Sequence, residues 1–270
     1  MKLWKKLGFP KPKSEASKGE LSLVDNEIYS GVVVPEGYYY FVRLDGWCFH
    51  RICKELKLKK PFDRFLATAL CKCAEEFFNI FNCSLAYSFS DEINLLFLKK
   101  PGFERIEKID SVFAGIASSK ATIELRKLKK FDFVIGFDCR VIPADKKDVL
   151  RYLIWRQAEC KRNCYNAFAQ IALEKKGFCG EALSKRLAGK KISALKRLIK
   201  KEGLLDKIKP WHEKGVLLYW KKYRKKGYDP IRNEEVIVER RKVFVDWNPV
   251  LFNSASGKSF ILNLMKNGMV

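Results

Sequence analysis

Residues 38–50 read Tyr-Tyr-Tyr-Phe-Val-Arg-Leu-Asp-Gly-Trp-Cys-Phe-His, and the rest of the chain can be interpreted around them. The stretch begins as an aromatic and β-branched run, which predicts a buried strand. Asp45 and Gly46 follow this run, and a helix is predicted from about Phe49. A carboxylate at the end of a core strand needs a compensating charge, which a metal ion or another cation can supply. Taken alone, the dipeptide is weak evidence for a site and more often marks a tight turn with a solvated aspartate.

A second acidic pair lies between two further predicted strands. Apolar runs flank Ser90, Asp91 and Glu92, and this pattern predicts a hairpin with acids at its turn. Two neighbouring strands of one sheet would then present Asp45 and Asp91 to the same point. Oxygen donors on rigid strands suit Mg²⁺, and a pair of such ions about 4 Å apart stabilises both reacting oxygens of a phosphoryl transfer. Without Asp45 nearby, the hairpin would be interpreted as an ordinary acidic turn.

The order of predicted elements in the first half is β-α-α-β-β-α-β. Strands are predicted at 38–44, 83–89, 93–98 and 132–142, and helices at 49–58, 63–81 and 105–125. Without the additional helix this is the split βαβ, ferredoxin-like pattern, an antiparallel sheet with helices on one face. The palm domains of polymerases and nucleotide cyclases have this layout. We therefore predict an α+β fold with a ferredoxin-like polymerase palm and a helical, basic, fingers-like part.

Three segments are predicted along the chain. They are a loosely ordered basic tail at 1–20, a palm-like catalytic domain at 21–145, and a helical and β-hairpin part at 146–270 that is expected to contact phosphates. The last segment is predicted to contain helices at 146–175, 181–187 and 192–201, and strands at 215–220 and 236–239. Residues 221–227, Lys-Lys-Tyr-Arg-Lys-Lys-Gly, are predicted to be the basic tip of that hairpin.

The composition is strongly basic. The formal charge is +23, from 54 Lys and Arg against 31 Asp and Glu, which indicates attraction to a polyanion such as nucleic acid. An anionic membrane is the alternative, but the sequence has no long apolar span and no recognisable secretory signal. Nine cysteines without a Cys-x-x-Cys pair, and only two histidines, favour buried reduced thiols over a structural zinc site. We therefore expect a cytoplasmic protein without membrane contact.

Five short motifs lie at 43–50, 60–63, 90–92, 137–141 and 155–160. In this order they resemble the motifs of the tRNA-His guanylyltransferase superfamily, whose members add nucleotides in the 3′-to-5′ direction. The similarity spans about 38–220. The resemblance implies a palm-like catalytic domain with two Mg²⁺ ions. It also implies a homotetramer that adds a nucleoside triphosphate, ATP or GTP among them, to the 5′ end of a tRNA.

The resemblance assigns roles to matching positions of this sequence. The implied catalytic acids are Asp45, Asp91 and Glu92, the last as an accessory acid. Asp45, Asp91 and the backbone carbonyl of Gly46 would hold the metal ions. The implied nucleotide-binding residues are Asp45, Gly46, Trp47, Cys48, Phe49, His50, Lys60, Asp63, Ser90, Asp91, Arg105 and Lys108.

The second half is expected to contact the phosphates of the tRNA. Clustered basic residues bind a nucleic-acid backbone without reading its sequence. The residues expected to contact tRNA are Arg151, Arg156, Gln157, Lys161, Arg162, Asn163, Lys196, Arg197, Lys221, Lys222 and Arg224.

Three positions depart from the pattern of the eukaryotic members. Lys161 replaces a histidine, Trp47 an arginine, and Phe62 an asparagine. These departures favour template-directed repair of tRNAs shortened at the 5′ end over the addition of a single guanosine to tRNA-His. Two other functions fit a palm, a non-catalytic RNA-binding protein and a nucleotide cyclase-like enzyme. The cyclase has no use for the basic second half.

Overall fold

The structure is a computed structural model that describes residues 27–99 and 102–267, so the tail expected at 1–20 lies outside the described residues. Six strands form one antiparallel sheet. They are β1 (Tyr39–Trp47), β2 (Leu85–Phe89), β3 (Glu92–Phe97), β4 (Gly136–Ala144), β5 (Val216–Asp229) and β6 (Glu234–Asp246). Their order across the sheet is β4-β1-β3-β2-β5-β6. The first four strands thus have the predicted ferredoxin-like order, and β5 and β6 extend the sheet at one edge.

Helices cover both faces of this sheet. In the described part of the chain they are α1 (Phe49–Glu55), α2 (Arg64–Phe81), α3 (Ile106–Arg126), α4 (Lys146–Glu174), α5 (Gly180–Leu187), α6 (Ile192–Lys201), α7 (Pro210–Lys214) and α8 (Ala255–Asn267). No helix among these described residues has the length and apolar character needed to cross a bilayer.

The alternation of side chains along β1 separates two hydrophobic cores. Val42 and Leu44 point towards α1, α2 and α3, where they pack with residues such as Phe77. Phe41 points the other way and stacks on Tyr152 of α4, with ring centroids 4.0 Å apart. The predicted palm helices therefore lie on one face, as expected, and the second half of the chain supplies the layer on the other face. The division into segments at residue 145 stays a prediction.

The predicted basic hairpin tip at 221–227 is wrong. These residues continue β5, and the turn lies at 230–233. The strand was missed because its exposed lysine and arginine side chains hide the apolar alternation on which strand prediction depends. The helices α7 and α8 were also not predicted.

Candidate active site

Asp45 lies within β1, because the strand continues through Trp47 instead of ending before the acid. Across the sheet it is in register with Glu92 of β3 and with Asp138 of β4. Asp138 pairs with Arg140, with a distance of 3.0 Å between the carboxylate and guanidinium groups. In the sequence, Asp138 is only one residue of the motif at 137–141. The strand register of the structure places it beside Asp45.

Asp91 lies at the turn between β2 and β3 and faces Asp45. The N–H of Gly46 donates to the backbone carbonyl of Asp91 at 3.1 Å, which holds the turn against β1. The Ser90 hydroxyl donates to the Asp91 carboxylate at 2.9 Å. Burial raises the pKa of Asp91 above its ordinary value, and the nearby Asp45 carboxylate raises it further, while the Ser90 hydrogen bond opposes this. The structure therefore brings the two acids together.

Neither acid has an ion-pair partner among the described residues. In the ranges that the structure describes, neither Asp45 nor Asp91 forms a salt bridge, although His50 is close enough to lower the pKa of Asp91 slightly. Two neighbouring carboxylates without a cation are electrostatically unfavourable. This arrangement is what a site for divalent cations requires before the cations bind.

Glu92 has the opposite environment. It is 6% exposed, and its two oxygens accept from the Arg156 guanidinium at 2.9 and 2.5 Å. The side chain of Asn94 donates to the same carboxylate at 2.7 Å, and the Tyr152 hydroxyl donates to Asn94. Burial raises the pKa of Glu92, and Arg156 and Asn94 oppose that effect. Both oxygens of Glu92 are therefore occupied by hydrogen bonds, and its ion pair with Arg156 joins α4 to the sheet.

The turn from Gly46 into α1 is closely packed. A Cβ atom at Gly46 would lie 2.4 Å from the ring of Phe49, so only glycine fits there. Cys48 has a left-handed backbone with φ of 56°, which turns the chain into α1. Phe49 is buried, whereas Trp47, Cys48 and His50 are exposed. The turn thus leaves three of the predicted nucleotide-binding side chains accessible next to Asp45.

A cleft of about 850 Å³ opens beside Asp91, between α1, the loop at 57–63 and the C-terminal half of α4. Its lysines are Lys54, Lys57, Lys59 and Lys60, and its large apolar residues include Phe49, Leu58, Phe62, Phe89 and Trp211. The predicted nucleotide-binding residues that line it are Phe49, His50, Lys60, Asp63, Ser90 and Asp91. The cleft therefore joins cations, an apolar wall and the acids of the turn.

Asp63 organises the lysine loop from within. Its carboxylate accepts from the backbone N–H of Phe65 at 2.7 Å and from that of Lys59 at 2.9 Å. It thereby caps α2 and fixes the loop on which Lys60 lies. The carboxylate is thus engaged with backbone groups and supports the cleft indirectly.

Aromatic residues form the back of the cleft. Phe62 stacks on His212 with ring centroids 5.0 Å apart. Burial, with nearby Lys209 and Arg64, lowers the pKa of His212 to about 4, so its ring is neutral at physiological pH. The histidine accordingly supports Phe62 from behind as a neutral ring.

A family model described as "Thg1: tRNAHis guanylyltransferase" matches residues 26–145, the segment that contains both Asp45 and Asp91. Over this segment the chain is similar to the tRNA-His guanylyltransferase family. The match agrees with the resemblance predicted from the five motifs.

Curated relatives in the superfamily are similar over much of the chain. The "Probable tRNA(His) guanylyltransferase" of Mus musculus is 28% identical over 205 residues, which cover 72% of this chain and 67% of the mouse protein. The Homo sapiens protein of the same name is 28% identical over 191 residues, with coverages of 67% and 64%. The "tRNA(His) guanylyltransferase" of Debaryomyces hansenii is 28% identical over 217 residues, with coverages of 76% and 82%. The chain thus spans about two thirds of the length of the two mammalian relatives.

Solved structures of the superfamily have the same fold. A bacterial tRNA(HIS) guanylyltransferase (Thg1)-like protein in complex with ATP aligns with a TM-score of 0.68 at 24% identity, covering 90% of this chain and 97% of that chain. The Saccharomyces cerevisiae tRNA(His) guanylyltransferase aligns with a TM-score of 0.64 at 20% identity, with coverages of 81% and 96%. The predicted α+β fold class is confirmed.

Two nucleotide-binding positions implied by the superfamily lie away from the others. The backbone of Arg105 forms an isolated antiparallel β-bridge with Val33 just before α3. The adjacent Glu104 is close enough to Tyr40 to raise the pKa of that tyrosine. Tyr40 precedes Asp45 by five residues on β1, which is about 17 Å along a strand. Arg105 and Lys108 therefore do not join the cluster within one chain, and their role stays a prediction.

Two residues expected to contact tRNA are buried instead. Arg156 is 7% exposed and Gln157 is 6% exposed. Arg156 is paired with Glu92, and the Gln157 amide accepts from the N–H of Phe252 at 2.7 Å and donates to the carbonyl of Val250 at 3.1 Å. These contacts hold α4 within the fold, so the expectation of tRNA contact does not fit these two positions.

The other residues expected to contact tRNA lie at the surface, but several are paired. Lys161 forms a salt bridge with Glu213 at 3.2 Å, and Arg162 forms one with Glu159 at 2.6 Å. Arg151 lies 3.3 Å from Asp148. The remaining expected contacts are Asn163, which is half-buried, and Lys196, Arg197, Lys221, Lys222 and Arg224, which are exposed. Their contact with tRNA stays a prediction.

Proposed function

We propose that this protein is a nucleotidyltransferase that adds nucleotides to the 5′ end of a tRNA in the 3′-to-5′ direction, directed by the opposite strand. The observation that supports it most is the pair of acids, Asp45 and Asp91, left without a cation beside a lysine-lined cleft. The names of the curated relatives, tRNA(His) guanylyltransferases, support nucleotide transfer to a tRNA.

The cleft fits a nucleoside triphosphate. Phe62 and Phe89 offer aromatic surface to a base, and the lysines at 57–60 offer charge to its phosphates. Its volume of about 850 Å³ lies within the range of small-molecule sites. ATP and GTP are the expected nucleotides, in line with the bacterial relatives whose structures contain them.

The donor set fits Mg²⁺. Asp45, Asp91 and the carbonyl of Gly46 would supply oxygen ligands, and substrate phosphates and water would supply the rest. No cluster of three or more metal-binding side chains occurs in the described ranges, so the protein alone makes an open site. When bound, the ions would neutralise charge that develops on the phosphate oxygens.

Two steps are proposed at this site. A tRNA with a 5′-monophosphate first attacks the α-phosphate of ATP or GTP, which releases pyrophosphate and leaves a nucleotidyl group on the 5′ end. The 3′-hydroxyl of the incoming nucleotide then attacks the activated 5′ phosphate and releases AMP or GMP. A tRNA with a 5′-triphosphate omits the first step. Lys60 and the neighbouring loop hold the triphosphate, and Asp45 and Asp91 would hold the ions that neutralise charge on the reacting phosphates.

The finer specificity is proposed from the departures noted in the sequence. Phe62 is packed against His212, and Lys161 is paired with Glu213, so neither offers the polar group found in eukaryotic members. We therefore favour templated repair of shortened tRNAs, while the names of the curated relatives favour the addition of one guanosine to tRNA-His. A protein that only bound RNA would gain nothing from two adjacent acids.

The test uses the purified protein with full-length and 5′-shortened tRNAs, each of the four nucleoside triphosphates, and Mg²⁺. Extension of the shortened tRNA only by nucleotides complementary to the opposite strand is expected. Addition of one guanosine whatever the opposite base would support the alternative, and no incorporation on any tRNA would refute the proposal. Light scattering and a fluorescent fusion test the proposed homotetramer and its proposed cytoplasmic location.

A further inference from the structure

Strands β5 and β6 extend beyond the rest of the sheet as a two-stranded ribbon. Strand β5 pairs with β2 only over residues 216–219, whereas its pairing with β6 continues to Asp229 and Glu234. We use the term ribbon for residues 221–229 and 234–242. Val216 lines the cleft, and Lys225 lies nine residues further along the strand, about 30 Å away. The ribbon is therefore remote from the reacting groups.

On one face of the ribbon, each cation has an acid or another polar partner nearby. Side chains alternate between the faces of a strand, and the even-numbered residues of β5 share a face with the odd-numbered residues of β6. On this paired face Lys222 lies 2.8 Å from Glu239, and Lys226 lies 3.8 Å from Glu235. The other two cations are Arg224, which is directly opposite Glu239, and Arg241, which donates to the Asn82 side chain at 3.1 Å and lies over the Trp220 ring.

The other face, which we call the open face, carries four cations, and no acid stands directly opposite any of them. Lys221 is directly opposite Lys242, and Arg240 is opposite Tyr223, which is 41% exposed. Lys225 follows on the same face, and every one of these basic side chains is exposed. Carboxylates appear on this face only at the described tip, at Asp229 and Glu234.

This arrangement is unfavourable unless an anion binds. Like charges directly opposite each other destabilise a strand pair, and the Lys221 and Lys242 side chains instead lie over the rings of Phe244 and Tyr223, at 4.8 and 5.6 Å. A row of cations beside an exposed aromatic ring matches a nucleic-acid backbone, because phosphates neutralise the lysines.

We propose that the open face of the ribbon docks the phosphate backbone of the tRNA, and that the paired face does not. The proposal rests on the proposed function, which supplies the tRNA. It retains Lys221 among the expected contacts, replaces Lys222 and Arg224, and adds Lys225, Arg240 and Lys242. Because the ribbon lies far from the cleft, docking there sets affinity for tRNA and leaves the chemical step unchanged.

The experiment compares two triple variants with equal loss of charge. The open-face variant is Lys221→Gln, Lys225→Gln, Lys242→Gln, and the paired-face variant is Lys222→Gln, Arg224→Gln, Lys226→Gln. The open-face variant is expected to bind tRNA about ten-fold more weakly, with a plot of log affinity against log salt shallower by about 2–3. The paired-face variant is expected to bind like the wild type, and kcat at saturating tRNA is expected to be unchanged in the open-face variant.

A third variant tests charge directly. Lys221→Arg, Lys225→Arg, Lys242→Arg keeps the charges and is expected to bind tRNA normally, and thermal unfolding verifies that all three variants are folded. Equal weakening in the open-face and paired-face variants, or normal binding by the open-face variant, would overturn the proposal. If the wild type extends tRNA while the open-face variant binds normally, only this inference fails. If the wild type extends no tRNA, the proposed function fails instead.

Discussion

Asp91 and Glu92 are adjacent in the sequence, yet their environments are opposite. Glu92 points into the core, where Arg156 binds both of its oxygens. Asp91 lies at the turn between β2 and β3, where the carboxylate of another acid, Asp45, raises its pKa. An acid that the protein has already matched with a cation belongs to the architecture. A pair of acids that the protein leaves unmatched requires cations from outside, and this difference separates the structural residue from the proposed catalytic ones.

The largest expected effect is on activity when either unmatched acid is removed. Asp45→Ala and Asp91→Ala are each expected to reduce extension of a 5′-shortened tRNA on the order of 10³-fold or more, because each removes a ligand for charge-stabilising cations. Affinity for tRNA, measured by filter binding, is expected to be close to that of the wild type. Full activity in either variant would contradict the proposed role of the pair.

The next effect is on stability when the matched acid is neutralised. Glu92→Gln leaves the buried Arg156 without a charge partner and is expected to cost about 3–5 kcal/mol in the free energy of unfolding, measured with urea. The double variant Glu92→Gln, Arg156→Met removes both charges and is the control, since it is expected to recover part of this loss. If Glu92→Gln instead unfolds like the wild type and loses only activity, Glu92 is catalytic and the comparison breaks.

A smaller effect is expected at the turn that joins the two acids. Gly46→Ala places a Cβ atom 2.4 Å from the Phe49 ring and is expected to cost about 1–3 kcal/mol. Gly115→Ala is a matched control, because nothing lies within 4 Å of its Cβ position in α3, and it is expected to be neutral or stabilising. Equal stability of the two variants in urea would show that the turn is not packed as described.

The smallest effect concerns the pH dependence of the metal-free protein. Because the folded-state pKa of Asp91 is raised, its contribution to stability is present below the unfolded pKa and is lost as the pH rises through the folded pKa. Asp91→Asn is therefore expected to raise the Tm at neutral pH by about 2 °C, and the difference is expected to disappear in acid. A variant with a Tm below that of the wild type at neutral pH would contradict the electrostatic description of the pair.

The proximity of Asp45 and Asp91 could be predicted from the sequence because both acids follow apolar runs that predict strands, and the motif order predicted the palm. The burial of Arg156 could not be predicted. A basic residue in a long helix resembles a surface residue, and its partner Glu92 lies 64 positions earlier in the chain. The prediction of the ribbon was wrong for a related reason. The lysines at 221–227 are typical of a loop, and only the pairing with β6 shows that they lie in a strand. Contacts between distant parts of the chain decided both cases.

The most direct measurement is calorimetric titration of Mg²⁺ into the protein in the presence of a non-hydrolysable GTP analogue. Two bound ions are expected for the wild type, with strong loss of binding in both Asp45→Asn and Asp91→Asn. Undiminished binding of both ions in either variant would contradict the claim that these two acids together form the metal site.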